Sequence, residues 1–289
     1  MFIIYMKFLH MFIPTLYILG DIGYYTDSLQ SLVNNFSKNI TGMNRLILMG
    51  DNFYDEGIKE KNDEQWNDYT QVFSKIPYNK INAIIGNHDY YGDPHLQLNA
   101  KYFENNEFYF KRTISNIDLY FLDTAPLHEG HCNVDNDIFK KVHCKSANKL
   151  KLEQIEWFKK ELEKSNRLGR KKLVFGHYPI ISNGVYFFHL VPIYKLLIPI
   201  FEKYKVDAYI SGHEHNIQYI KRKISNNYTF HQFIIGSSSE NRIDEFKNPF
   251  HINMFDNKEN FFLKIQEIGE AIHFKFINTL NEVKYFIII

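Results

Sequence analysis

Sulfur is scarce in this chain: its 289 residues include two cysteines, Cys132 and Cys144. Two thiols cannot staple a small disulfide scaffold or fill a cysteine-rich zinc or iron–sulfur site. Both lie in a polar tract beside His131 and His143, which leaves one loop disulfide, two free thiols or a peripheral metal site as their readings. An excess of one charge is also missing. With 34 basic residues against 33 acidic ones the formal net charge is +1, and no long basic run occurs. No nucleic-acid or membrane-surface partner held by bulk electrostatics is therefore expected. Nor does any uninterrupted apolar run reach the ~18 residues of a membrane-spanning helix. The terminal Tyr285-Phe286-Ile287-Ile288-Ile289 is far too short for one.

What remains is the balance of a globular protein, with 45% hydrophobic and 23% charged residues, long enough for one large domain or two smaller ones. Met1 to Leu19 is apolar in the manner of an export signal. Yet Thr15 to Gly20 reads as a first core strand with Asp21 directly after it. Residues 1–13 are thus read as a short leader or the end of an export signal, and 14–289 as a single domain. Asn35-Phe36-Ser37, Asn39-Ile40-Thr41 and Asn227-Tyr228-Thr229 match the N-glycosylation triplet, which agrees with export.

Seven short apolar runs follow, most of them ending at a Gly or a polar residue. Leu16–Leu19 leads to Gly20-Asp21, Leu46–Met49 to Gly50-Asp51, and Ile81–Ile85 to Gly86-Asn87-His88-Asp89. Leu119–Leu122 leads to Asp123, Leu173–Phe175 to Gly176-His177, Ala208–Ile210 to Gly212-His213-Glu214-His215, and Phe233–Ile235 to Gly236. Continuous apolar runs suit strands buried on both faces. Helical patterns separate them over 27–38 with Asp27 as N-cap, 63–75, 150–164 and 190–204. In 150–164, Leu152, Ile155, Trp157, Phe158 and Leu162 form an apolar stripe, and Pro199 should kink or interrupt the last helix. The tract 125–149 reads as a long loop, and runs at 261–265, 271–277 and 283–289 as an antiparallel closing meander. Strands alternating with helices predict an α/β core, whose ligand groups gather at the carboxyl ends of strands.

The strand-end residues are Asp21, Asp51, Tyr54, Asn87, His177, His213 and His215. Oxygen and imidazole donors without sulfur suit Fe, Zn or Mn. One bridging carboxylate would let the seven serve two metals, and two metals roughly 3.5–4 Å apart can clamp the attacking and leaving oxygens of a phosphoryl displacement.

Five blocks carry a family resemblance: Gly20-Asp21-Ile22-Gly23, Gly50-Asp51-Asn52-Phe53-Tyr54-Asp55-Glu56-Gly57, Gly86-Asn87-His88-Asp89, Gly176-His177-Tyr178 and Gly212-His213-Glu214-His215. In this order they resemble the calcineurin-like metallophosphoesterases, and the Tyr of the second block resembles the short, single-domain purple (tartrate-resistant) acid phosphatases. The resemblance implies a four-layer α/β/β/α sandwich of two mixed β-sheets, with 14–289 as its catalytic domain. It implies Fe(III) on Asp21, Asp51, Tyr54 and His215, and a divalent Fe, Zn or Mn on Asp51, Asn87, His177 and His213, with Asp51 as the bridge. His88 would then hydrogen-bond the phosphoryl oxygens while Asp89 orients its ring, and a metal-bound hydroxide would attack in line. Relatives carry a further His nine residues beyond the fourth-block His, as proton donor to the leaving oxygen. Here Tyr186 stands at that position, with His189 three residues on, so His189, Tyr186 or water takes the role. The expected activity is acid phosphatase action on small phosphate monoesters, in a secretory, vacuolar, lysosomal or extracellular setting. A phosphodiesterase, nucleotidase or phosphoprotein phosphatase, and a non-catalytic scaffold, are the alternatives.

Overall fold

A computed structural model describes residues 13–128, 147–184, 190–242, 254–256 and 258–289. The apolar runs become strands because their alternate side chains meet two dry faces. In Thr15–Leu19 (β1), Leu16 and Ile18 enter one core and Tyr17 and Leu19 another. Arg45–Leu48 (β2) divides in the same way, Ile47 against Leu46 and Leu48. With Ile81–Ala83 (β3), Phe261–Ile268 (β11), Ala271–Asn278 (β12) and Val283–Ile288 (β13) they form a six-stranded sheet in the order β13-β12-β11-β1-β2-β3. β1, β2 and β3 run parallel, whereas β1 and β11 are antiparallel.

The second sheet holds Phe110–Ile114 (β4), Ile117–Leu122 (β5), Lys171–Gly176 (β6), Ala208–Ser211 (β7), Ile217–Ser225 (β8), Tyr228–Ile235 (β9) and Met254–Asp256 (β10). Its order is β10-β8-β9-β7-β6-β5-β4, again with parallel and antiparallel neighbours. The inner faces of the two sheets share one core, in which Phe121 stacks on Phe175 and Phe233 lies on Phe274 at 3.9 Å between centroids. Outside the first sheet lie Asp27–Phe36 (α1) and Gln65–Phe73 (α2), with Leu32, Phe36 and Tyr69 packed near Tyr17 and Leu46. A third helix, Pro94–Leu98 (α3), follows the β3 loop. Outside the second sheet lie Ala147–Arg167 (α4) and Val191–Tyr204 (α5), whose Phe158, Leu162, Leu197 and Phe201 meet Tyr120, Val174 and Tyr209. The expected sandwich of two mixed sheets is therefore present.

Several local expectations change. Thr26, not Asp27, caps α1: its hydroxyl accepts from the Leu29 N–H at 3.2 Å, leaving Asp27 in the first turn, where its charge favours the helix N-terminus. α5 runs through Pro199 without a break, because packing of its apolar face outweighs one lost backbone bond. α4 is longer than 150–164, and Leu152 stands 70% exposed while Ile155, Phe158 and Leu162 are buried. β8 was not expected from sequence, since only its first half is buried. Residues 1–12 of the expected leader, and 129–146 of the expected loop with Cys132 and Cys144, lie outside the described residues. The closing meander forms as expected, turning at Gly269 and Asn281, both at positive φ.

Candidate metal centre

Five parallel strands, three of one sheet and two of the other, end on the same side of the sandwich, and each delivers one or two site residues there. β1 leads into Asp21, β2 into Asp51 and Tyr54, β3 into Asn87 and His88, β6 into His177, and β7 into His213 and His215. Asp21, Asp51 and His213 sit at φ of 56°, 51° and 69°, a region few side-chain-bearing residues adopt. Such backbone persists only where surrounding structure over-determines it, and it clusters at functional sites. Close loop approach requires glycine: a Cβ on Gly86 would fall 2.2 Å from Asp51 N and Oδ1. Gly50, at φ +88°, would place one 2.7 Å from Gly86 N and His177 Nδ1.

All seven expected donors converge, in two groups that meet at Asp51. Tyr54 Oη lies 3.3 Å from Asp21 Oδ1, 3.4 Å from Asp51 Oδ2 and 3.0 Å from His215 Nε2. Asn87 Oδ1 lies 3.0 Å from His177 Nε2 and 3.0 Å from His213 Nδ1, and His177 Nε2 is 3.4 Å from Asp51 Oδ2. The same oxygen of Asp51 thus faces both groups, while Oδ1 accepts the His88 backbone N–H at 2.8 Å. The ligand atoms of Asp51, His177 and His213 fall within 4.8 Å of one another.

The electrostatics fit a cation. Burial, with the Asp51 charge adding to it, pushes the Asp21 carboxyl well above the usual range despite His177. Burial and the Asp21 charge likewise raise the Tyr54 phenol. Burial alone would raise Asp51 and lower His177, but their mutual attraction wins: Asp51 is held below the carboxylate range and His177 is raised to about 9. His215, buried and facing the Arg242 charge, is held down to about 4. Two buried carboxylates converging on one phenol oxygen repel each other when ionised unless positive charge lies between them, and only such a charge would favour the phenolate. Hard oxygen donors on one side and amide with imidazoles on the other suit such ions.

Supporting contacts come from atoms that sequence reasoning did not single out. The Met49 carbonyl faces His177 Nδ1 at 2.9 Å, which turns Nε2 toward the donors. The Asp55 carbonyl accepts from His88 Nδ1 at 2.7 Å, which leaves Nε2 as the ring nitrogen facing away from that loop. Glu240 stands 3.5 Å from His215 Nδ1, and Tyr24 lies 4.6 Å from the Tyr54 ring between centroids. Backbone carbonyls leave no mark in a sequence, and Tyr24 and Glu240 belong to no motif. Asp89 departs from the expected role of orienting His88. Its carboxylate accepts from Gly86 N, Asn52 N, Phe53 N and Asn52 Nδ2 at 2.8, 2.9, 3.2 and 3.3 Å. It ties the β2 and β3 loops together, and burial with the Asp51 charge raises it to about 7. Tyr186 and His189 lie outside the described residues.

Two mixed sheets inside helix layers, with acids, amide and imidazoles gathered at their strand ends, define the phosphoesterase class of fold and site. The family model of calcineurin-like phosphoesterases matches residues 14–216, and the chain belongs to that family. It is 30% identical over 190 residues to purple acid phosphatase 3 of Arabidopsis thaliana, a match covering 63% of this chain and 51% of that protein. It is 30% identical over 197 residues to human (Homo sapiens) tartrate-resistant acid phosphatase type 5, covering 63% of this chain and 58% of that protein. The match thus spans just over half the length of these relatives. In fold it is similar to GAP50, the anchor in the inner membrane complex of Plasmodium, at a TM-score of 0.73 and 22% identity over 95% of this chain and 88% of that one.

Proposed function

We propose that this chain is an acid phosphatase that hydrolyses small phosphate monoesters at two metal ions. The observation that carries the reading is the single oxygen, Asp51 Oδ2, facing Tyr54 and His177 at equal distance. Asp21, Asp51, Tyr54 and His215 would hold the first ion, a ferric one, because anionic oxygens favour higher charge. Asp51, Asn87, His177 and His213 would hold the second, a divalent Fe, Zn or Mn. When bound, the pair supplies Lewis-acid activation of water and of the phosphoryl group.

The protein's own residues supply position and polarity. His88 projects from the β3 loop at the rim, its ring edge-on to Tyr54 and Tyr91 at 4.7 and 5.4 Å. From there Nε2 would donate to phosphoryl oxygens as their charge grows, a preorganised contact typically worth ~3 kcal/mol of barrier. Asp89 fixes the spacing of the two loops that present Asp51 and Asn87. His189, Tyr186 or water would protonate the leaving oxygen, a step worth ~10²–10⁴ in rate. Export to an acidic compartment goes with this reading: Asn227, in one glycosylation triplet, is exposed, whereas the side chain of Asn39 hydrogen-bonds Tyr17. Asn35 instead donates to Asn278 and Thr279 carbonyls.

The test is turnover of p-nitrophenyl phosphate and bis(p-nitrophenyl) phosphate against pH, with and without chelator. Chelator-sensitive monoester cleavage on the acid side supports the reading. Preference for the diester, or no turnover by fully metallated protein, would replace it with the phosphodiesterase or the scaffold alternative.

A further inference from the structure

Toward the end of β1 away from Asp21, where Thr15 and Tyr17 lie four to six residues before that carboxylate, the outer face of the first sheet forms an open groove of about 720 Å³. Small-molecule sites run ~300–1,000 Å³. Tyr17, Lys38, Asn39, Lys264, Lys275 and Phe286 are among the side chains that line it. We propose that this groove binds a soluble small polyanion, a molecule bearing two or more phosphate or sulfate groups.

The lysines carry the argument. Lys264 of β11 stands directly opposite Lys275 of β12, a like-charge cross-strand pair that costs stability. The 3₁₀ turn Ser37–Asn39 adds Lys38 from the side. Among the described residues none of the three has a carboxylate within ion-pair distance. Neighbouring lysines are treated differently: Lys284 reaches Glu259 and Glu282, and Lys171 reaches Glu267. Burial and the Lys275 charge lower Lys264 from its ordinary value, and the same two causes lower His273 in the groove wall. The ammonium groups are flanked by rings instead, Lys264 at 6.0 Å from the Tyr17 centroid and Lys275 at 5.1 Å from that of Phe286. What sets these three lysines apart is their convergence on one recess whose described lining includes no Asp or Glu, so that the recess is uniformly cationic. Multiple anionic oxygens would neutralise all three and accept their N–H groups.

Inositol hexasulfate, which phosphoester hydrolysis leaves intact, is the probe, titrated by calorimetry into the full chain and into Lys264→Gln/Lys275→Gln at ~50 mM salt. We expect 1:1 binding that weakens at least ~10-fold in the double variant, since even one of the two lost charge-assisted contacts contributes about that much. Turnover of p-nitrophenyl phosphate should be unchanged, because neither lysine belongs to the metal centre, and this also reports that the variant is folded. Equal affinity in both proteins, no binding by the unaltered chain, or binding only to vesicles of anionic lipid would each overturn the assignment.

Discussion

Asparagine at position 89 should loosen the metal centre without altering any of its donors. The carboxylate of Asp89 accepts four N–H groups, two on each oxygen. An amide keeps one acceptor oxygen and turns an NH₂ toward the other two donors, stranding buried N–H groups at ~1–3 kcal/mol each. Part of that loss is offset, because the substitution also removes a buried negative charge beside Asp51. The expected net cost is about 2 kcal/mol, read from urea unfolding of the metal-free protein at neutral pH. Metal affinity should fall with it, since the β2 and β3 loops separate. The same substitution in a His88→Ala background distinguishes loop-tying from ring orientation. If Asp89 acts on the loops, its effects on stability and metal affinity persist when His88 is gone. A stability change within ~0.5 kcal/mol, or an effect that vanishes in the His88→Ala background, would refute this reasoning.

Three further outcomes follow from particular contacts. Phe233→Ala removes the ring stacked at 3.9 Å on Phe274 in the core between the sheets, and should cost ~3–5 kcal/mol by chemical denaturation. Gly86→Ala pushes a methyl group within 2.2 Å of Asp51 N; the loops must part, and metal content after purification should drop while far-ultraviolet circular dichroism stays native-like. His231 on β9 is held down to about 4 by burial and the Lys221 charge, against ~6.5 in the unfolded chain. The unfolded state therefore takes up a proton first, so the contribution is complete above ~6.5 and is lost as pH falls toward the folded value. Partial exposure reduces it to the order of 1 kcal/mol. Urea midpoints at neutral pH and near pH ~4.5 should differ less in His231→Gln than in the unaltered chain.

The strands and the donors were legible for one physical reason. A parallel strand buried on both faces is a continuous apolar run, and its end is where polarity returns, so Leu46–Met49 and Asp51 mark both the element and the site. β8 escaped because its second half faces solvent and reads as polar chain. Capping by Thr26 rather than Asp27 is a one-residue shift between two competent side chains, which only backbone geometry decides. Adjacency in sequence suggests a contact between Asp89 and His88, whereas the 3₁₀ turn Asp89–Tyr91 directs the carboxylate inward to backbone N–H groups. The pairing of Lys264 with Lys275 could not be seen until register was known, because it depends on how two strands align.

A dinuclear centre bridged by Asp51 is best probed by elemental analysis of the purified protein beside Asp51→Asn, paired with p-nitrophenyl phosphate turnover. Such a centre should hold about two metal equivalents per chain, lose both in the variant, and lose turnover with them. Loss of a single equivalent in Asp51→Asn, with the other held at full occupancy, would contradict the bridge.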